Sequence, residues 1–352
     1  MMTKEIGSEF WRSETGAEYR LPGKTYLSGR AALSAIILDL QKRGVTCVGL
    51  PDYLCESMIE PFLRRDMNVG FYPVGMDHNG LTIAADTLQP FGAVLLVNYF
   101  GMMARQINAL ADECKHMGIS VIRDLTHDVF TDAAPCQADY TFGSYRKWTG
   151  VELGFASGDC ASDLTTWPIS EDGIQYLALR DKARNIKHRF VDGGYEDETL
   201  RHTQLELFEK AEELLDREYI SDTDECNKSR LSSLDADDIA KKRQENARAL
   251  YGDFKHLKIC IPMFSEMPDD AVPLAVPVLI PQEKRNALRS YLREHGIFCP
   301  VHWPVSSLHK AGSDACRIYN SEISLVCDQR YGTEDMTRTM EMIKQWEKIT
   351  SE

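Results

Sequence analysis

The sequence predicts an α/β fold, a mostly parallel sheet sandwiched by helices, with a smaller α+β unit at its C-terminal end. Three observations predict it. Ala93-Val94-Leu95-Leu96-Val97 and Ser120-Val121-Ile122 are short apolar runs with the β-branched character of inner strands covered on both faces. Between them, residues 107–117 carry apolar side chains on a helical period and are closed by Gly118. Strand, helix and strand in that order form a crossover unit, and such units build parallel sheets.

The other elements extend this pattern. Residues 31–40 are good helix formers with a helical apolar period, and they open after Leu27-Ser28-Gly29, a helix start. Residues 46–50 form a buried strand ended by Pro51, followed by a helix over 56–65 and a strand over 69–74. From about 196 to 250 the pattern turns polar and helical, clearest over 196–210 and 237–250. The stretch 221–238, rich in Ser, Asp and Asn, reads as an exposed connection. A strand over 272–280, a helix over 282–295, a strand over 297–302 and a helix over 333–349 complete the chain. The expected division is a large α/β domain over 1–245, N-terminal segment included, and a small α+β domain over 246–352.

Composition narrows the function classes. The 352 residues carry 40 Lys+Arg against 54 Asp+Glu, a formal charge of −14, so no cationic excess is available for phosphate-backbone binding. No basic run suggests a polybasic membrane patch. The longest apolar stretch, 271–280, is ten residues with two prolines and cannot span a bilayer. Residues 1–12 carry charge and no apolar run, unlike a secretory signal. Ten cysteines include no Cys-x-x-Cys pair, so they read as reduced, mostly buried thiols of a cytoplasmic protein. No His-x-x-x-His or Cys-x-x-Cys spacing supports a metal site. Gly-x-Gly-x-x-Gly is missing after the first strand, against a dinucleotide-binding domain.

The chemistry-bearing residues fall at strand ends, where open parallel sheets bind ligands. Asp124 follows the strand 120–122, and an ionised carboxylate there can hold a protonated ring nitrogen. His127, three residues on, can lie beside the same ligand. Lys147 follows Asp124 by twenty-three positions, within Phe142-Gly143-Ser144-Tyr145-Arg146-Lys147-Trp148. A neighbouring arginine lowers a lysine pKa, and a neutral amine attacks an aldehyde. Ser28-Gly29-Arg30 opens a helix, whose free N–H groups and dipole favour a phosphate. Phosphate cradle, carboxylate and lysine are the parts a pyridoxal 5′-phosphate (PLP) site requires.

Over residues 23–349 the chain resembles the fold-type I PLP-dependent aminotransferases, and within them the DegT-type sugar aminotransferases. The resemblance rests on Ser28-Gly29-Arg30-Ala31-Ala32-Leu33, Val97-Asn98-Tyr99-Phe100-Gly101, Val121-Ile122-Arg123-Asp124 and Phe142-Gly143-Ser144-Tyr145-Arg146-Lys147. His302-Trp303-Pro304 and Ser324-Leu325-Val326-Cys327-Asp328-Gln329-Arg330-Tyr331 add to it late in the chain. It implies a Schiff base on Lys147, which then moves the substrate proton, and Asp124 on the pyridinium nitrogen. It also implies His127 near the ring hydroxyl side, phosphate contacts from Gly29, Arg30 and Ser144, and Tyr53 stacked on the ring. It further implies transfer of an amino group from an amino acid such as glutamate to a keto acceptor such as a keto-sugar nucleotide, in polysaccharide biosynthesis. The active site would lie at a homodimer interface.

The chain departs from that family at three places. Trp148-Thr149-Gly150-Val151-Glu152-Leu153-Gly154 replaces a Gly-rich stretch, the serine stands only three residues before the lysine, and Gly193-Gly194-Tyr195-Glu196 replaces Gly-Tyr-Asn. A lyase, decarboxylase or racemase could use the same cofactor site, and so could the scaffold of a non-catalytic binding protein. Each site residue also has a bland reading: a solvated lysine, a helix-capping aspartate, a core histidine, a buried tyrosine. His302 and Arg330 could grip a donor carboxylate or serve as strand-end and ion-pair residues. Trp148 and Glu152 are left without a role.

Overall fold

The computed structural model describes residues 4–12, 15–16, 18–20, 23–131 and 138–350. Seven strands make the central sheet: β1 (Lys24–Tyr26), β2 (Cys47–Pro51), β3 (Asn68–Tyr72), β4 (Ala93–Val97), β5 (Ser120–Asp124), β6 (Tyr140–Ser144) and β7 (Gly154–Ser157). Their spatial order is β1-β7-β6-β5-β4-β2-β3. Strands β2 to β6 pair in parallel, and β7 is antiparallel to both β6 and β1. Every residue of β4 is buried, as its uninterrupted apolar run requires of a central strand. Helices α1 (Gly29–Lys42), α2 (Glu56–Leu63) and α3 (Ala104–His116) connect these strands. The chain leaves β2 for β3 on one side and returns to β4 on the other, so the strand order reverses at β2. A crevice opens at such a reversal, beyond the carboxyl ends of the strands.

The polar helical region begins earlier than the sequence pattern indicates. Helix α4 (Glu171–Asp192) packs along α5 (Glu198–Leu215) as an antiparallel pair. Its buried positions include Arg180, Arg184 and Lys187, so apolar periodicity does not reveal it. The stretch expected to be an exposed connection contains a further helix, α6 (Glu225–Ser232), capped by Asp224, before α7 (Ala236–Asp253).

The C-terminal unit is a three-stranded antiparallel sheet, β8 (Ile261–Pro262), β9 (Val276–Leu279) and β10 (Glu322–Leu325), with β9 in the middle. Helices α8 (Gln282–Glu294), α9 (Ser313–Ser321) and α10 (Thr333–Ile349) surround it. Its core joins Val276, Val278, Leu292, Ile323 and Ile343 to Ala247 and Leu250 of α7 and to Ile6. The division expected at 245/246 therefore falls inside a helix, and the start of the chain packs on the second core. The strand expected over 297–302 is only Ile297–Phe298, paired in parallel with Ile6–Gly7. Pro300 has no N–H to extend that pairing. Arg330 fastens the same N-terminal segment, donating to the carbonyls of Ser8 and Glu9 at 3.0 Å each. Among the described residues, no helix is long and apolar enough to cross a membrane.

Candidate active site

Strands β5 and β6 lie side by side, Asp124 opposite Phe142, so Asp124 and Ser144 reach the same carboxyl edge. Each is then fixed by its own loop. The Thr126 N–H donates to Asp124 Oδ1 at 2.7 Å. The Ser144 hydroxyl caps a 3₁₀ turn over Tyr145–Lys147, accepting from the Arg146 N–H. The Trp148 indole donates to the Thr126 carbonyl at 2.8 Å, tying the lysine turn to the loop after β5. At α1, Ser28 accepts from the Ala31 N–H, while the first amides of a helix have no partner within it. A Cβ placed on Gly29 would lie 3.6 Å from Ser144 Cβ, so this helix start rests against the end of β6.

These pieces enclose a cavity of about 270 Å³, lined by Gly29, Arg30, Asp124, His127, Ser144 and Lys147 among others. Lys147 Nζ is 3.2 Å from His127 Nε2 and 5.8 Å from the centroid of Trp303. The His127 ring stacks on Trp303 at 5.4 Å and 26°. Burial lowers the Lys147 pKa below that of an ordinary lysine; Cys55 and Asp124 work against this and Arg146 adds to it. Burial raises Asp124, while Thr126 and Lys147 oppose the rise. His127 is pushed well below the usual histidine range by burial, with Lys147 and His302 contributing. The cavity thus holds a neutral imidazole, an amine shifted toward its nucleophilic form and a carboxylate lacking a full ion-pair partner.

Six of the seven residues expected at the site line this cavity, and Tyr53 does not. Tyr53 is fully buried in a cluster with Tyr99, Trp303 and Tyr319, and its hydroxyl donates to the His302 carbonyl. Its chain neighbours Leu54 and Cys55 line the cavity instead, alongside Trp303. Arg30 lines the cavity, yet its guanidinium reaches away to the Leu215 carbonyl at 2.9 Å and Asp216 at 3.1 Å. Arg30 therefore offers the cavity its position at the helix start rather than its charge.

A second, larger chamber of about 780 Å³ adjoins the first and shares Arg146, Lys147 and His302 with it. One face of α8, Asn286, Arg289, Ser290 and Arg293, lines it. Arg330 lines it too, but grips Asp328 at 2.7 and 2.9 Å besides holding the N-terminal carbonyls. Its ion-pair role is thereby accounted for. Glu152 lines neither cavity and is paired with Arg180 and Arg184. Trp148 packs under Arg243, whose guanidinium lies 4.3 Å from the ring centroid. Of the other lining residues, Arg146 entered the sequence reading only as the arginine beside the lysine and Trp303 only within His302-Trp303-Pro304, while Leu54 and Cys55, which follow Tyr53, carried no signal of their own.

No protein-family model matches the chain, and no curated protein sequence does. Solved structures do. The aminotransferase TlmJ from Streptoalloteichus hindustanus superimposes with a TM-score of 0.64 at 14% identity, over 93% of this chain and 86% of that one. PseC of Helicobacter pylori, an aminotransferase involved in the biosynthesis of pseudoaminic acid, gives 0.63 at 17%, over 92% and 87%. The sugar aminotransferase CalS13 from Micromonospora echinospora gives 0.58 at 15%, over 91% and 86%. The chain has the fold of these aminotransferases, the fold-type I architecture expected from its sequence.

Proposed function

We propose that the protein is a PLP-dependent aminotransferase that moves an amino group from an amino acid, glutamate foremost, to a keto acceptor. One observation carries the reading: an amine, a carboxylate and a helix N-terminus from three separate loops converge on one cavity of about 270 Å³. The donor set suits the cofactor. Asp124 would hold the ring nitrogen proton, the α1 start and Ser144 would take the phosphate, and Lys147 would take the aldehyde. Bound there, PLP supplies an aldehyde for the amine and a ring that accepts an electron pair. Lys147, its pKa lowered by burial, carries a proton to and from the substrate carbon at Nζ. His127 and Trp303 exclude water beside it.

The acceptor is proposed to be a keto-sugar nucleotide. The larger chamber exceeds what an amino acid fills, and Arg289 and Arg293 offer forked donors suited to phosphate oxygens. The names of PseC and CalS13 point the same way for those proteins. A homodimer acting in the cytoplasm on small molecules, and not on nucleic acid or a membrane surface, completes the proposal.

The test is chemical. Incubation with PLP followed by borohydride should leave a pyridoxyl mass on Lys147, and glutamate should convert the bound cofactor to its amino form. A label located elsewhere, or a cofactor spectrum indifferent to every amino acid supplied, would overturn the assignment.

A further inference from the structure

Beside Lys147 lies a group of polar side chains that the proposed function leaves unused. His302 lines both cavities. Its Nδ1 is 2.8 Å from Ser324 Oγ, and Ser324 Oγ donates to Glu322 Oε1 at 2.5 Å. The other carboxyl oxygen, Oε2, accepts from the His302 main-chain N–H at 2.6 Å. Glu322 and Ser324 alternate along β10 and so project to one face. The ring is held further by edge-on contacts with His127 at 5.2 Å and Phe100 at 5.5 Å. Nε2 has no hydrogen-bond partner among the described residues. Buried polar side-chain atoms are in the large majority hydrogen-bonded, and this nitrogen belongs to a side chain that lines both cavities.

We infer that His302 is a second proton-handling residue of the cavity and that Ser324 and Glu322 are its positioning residues, the three forming a relay that carries a proton between Nε2 and the carboxyl. With Glu322 ionised, the serine donates to it, Nδ1–H donates to the serine, and Nε2 offers a lone pair to the cavity. A proton arriving at Nε2 bonds there. The Nδ1 proton then passes to Ser324 Oγ as the hydroxyl proton passes to Glu322 Oε1. The imidazole ends neutral with Nε2–H, and the only charge that has changed is on Glu322. Run backwards, the same steps deliver a proton to the cavity.

The electrostatics explain why the relay is needed. Burial pushes His302 well below the usual histidine range, and Lys147 pushes it the same way, so an imidazolium is disfavoured. Burial pushes the Glu322 carboxyl up to about 8, against its bonds to Ser324 and His302 and the charges of Arg285 and Arg289 on α8. The carboxyl can therefore hold the proton that the ring cannot. Lys147 and His127 face the relay across the cavity, and Tyr53 and Cys299 adjoin Glu322. Burial raises Tyr53 well above its ordinary value and Cys299 to about 12, so neither titrates in the range that matters.

The use of this relay in group transfer rests on the proposed function, whereas the relay itself can be observed without cofactor. Nitrogen NMR of the full-length protein labelled with ¹⁵N-histidine distinguishes the two tautomers, and His302→Gln identifies the resonances. Between about pH 6.5 and about pH 9.5 His302 should change from Nε2–H to Nδ1–H, with its midpoint near 8. Ser324→Ala should abolish the change and Ser324→Thr should keep it. In the PLP-loaded protein, Ser324→Ala should lower kcat by about tenfold with the label on Lys147 intact. A single tautomer across the range in the unaltered protein, or an undiminished change in Ser324→Ala, would overturn the relay whatever the cofactor test shows. A missing Lys147 label would overturn the enzyme reading and leave the relay standing.

Discussion

Two of the places where the molecule buries charge treat it in opposite ways. Glu152 has no exposure, and it is met by Arg180 Nε at 2.6 Å, by Arg184 and by the Tyr176 hydroxyl. Arg180 is shared in turn with Glu9 at 2.8 Å and Glu212 at 3.3 Å. Burial alone would raise Glu152, but Arg180, Arg184 and Arg146 outweigh it and hold the carboxyl at about 2. At the cavity the shifts run the other way: burial drives both Lys147 and Asp124 toward their neutral forms. The first set has its charges answered by protein groups. The second faces an open space. Being buried and charged does not separate structure from site; the direction of the shift and the presence of a cavity do.

Two substitutions test that separation. Lys147→Ala should remove the borohydride-stable label and lower transamination by about a thousandfold or more. Its melting temperature should stay level or rise, because a buried amine without a direct counter-ion has been removed. A marked loss of stability would place Lys147 with Glu152 instead. Glu152→Gln should behave inversely, destabilising the fold by about 3–5 kcal/mol in urea titration as two buried guanidinium groups lose the one fully buried carboxylate they share. Cofactor attachment in the remaining folded protein should persist. The pH dependence has a definite sign. A folded-state pKa of about 2 lies below the unfolded carboxylate value, roughly 4.3, so the contribution is complete above that pH and drains away as pH falls toward the folded value. Glu152→Gln should flatten that acid limb, and an unchanged limb would count against the ion-pair account.

Where the sequence was legible, the information was local. The strand-helix order up to Asp124 follows from hydrophobic runs and their terminators, whereas the strands Tyr140–Ser144 and Gly154–Ser157 were not read from any such run, and Ser144 was selected through the family resemblance. Tyr53 shows the resolution limit of such reading: the loop is at the cavity, but it is Leu54 and Cys55 that line it. Helix α4 was hidden because its inward face carries Arg180, Arg184 and Lys187, whose partners lie far along the chain. The His302–Ser324–Glu322 group was equally hidden. It depends on β10 meeting the turn after Pro300, a pairing over some twenty residues that no spacing announces.

Gly154 offers the finest test, because it stands two residues from Glu152 yet belongs to the other region. A Cβ there would meet the Ser28 carbonyl carbon and oxygen at 2.2 Å and the Gly29 nitrogen at 2.6 Å. These are backbone atoms and cannot swing aside. Gly154 lies in an extended strand, so alanine suffers no backbone strain of its own and acts by displacing the opening turn of α1. Gly154→Ala should therefore cost about 1–3 kcal/mol of stability. If the α1 start holds the phosphate, PLP should bind about tenfold more weakly, while pyridoxal, which has no phosphate, should label Lys147 as readily as before. An equal loss for both aldehydes would show that the turn supports the lysine end as well, and the division of the cavity into a phosphate end and an amine end would have to be redrawn.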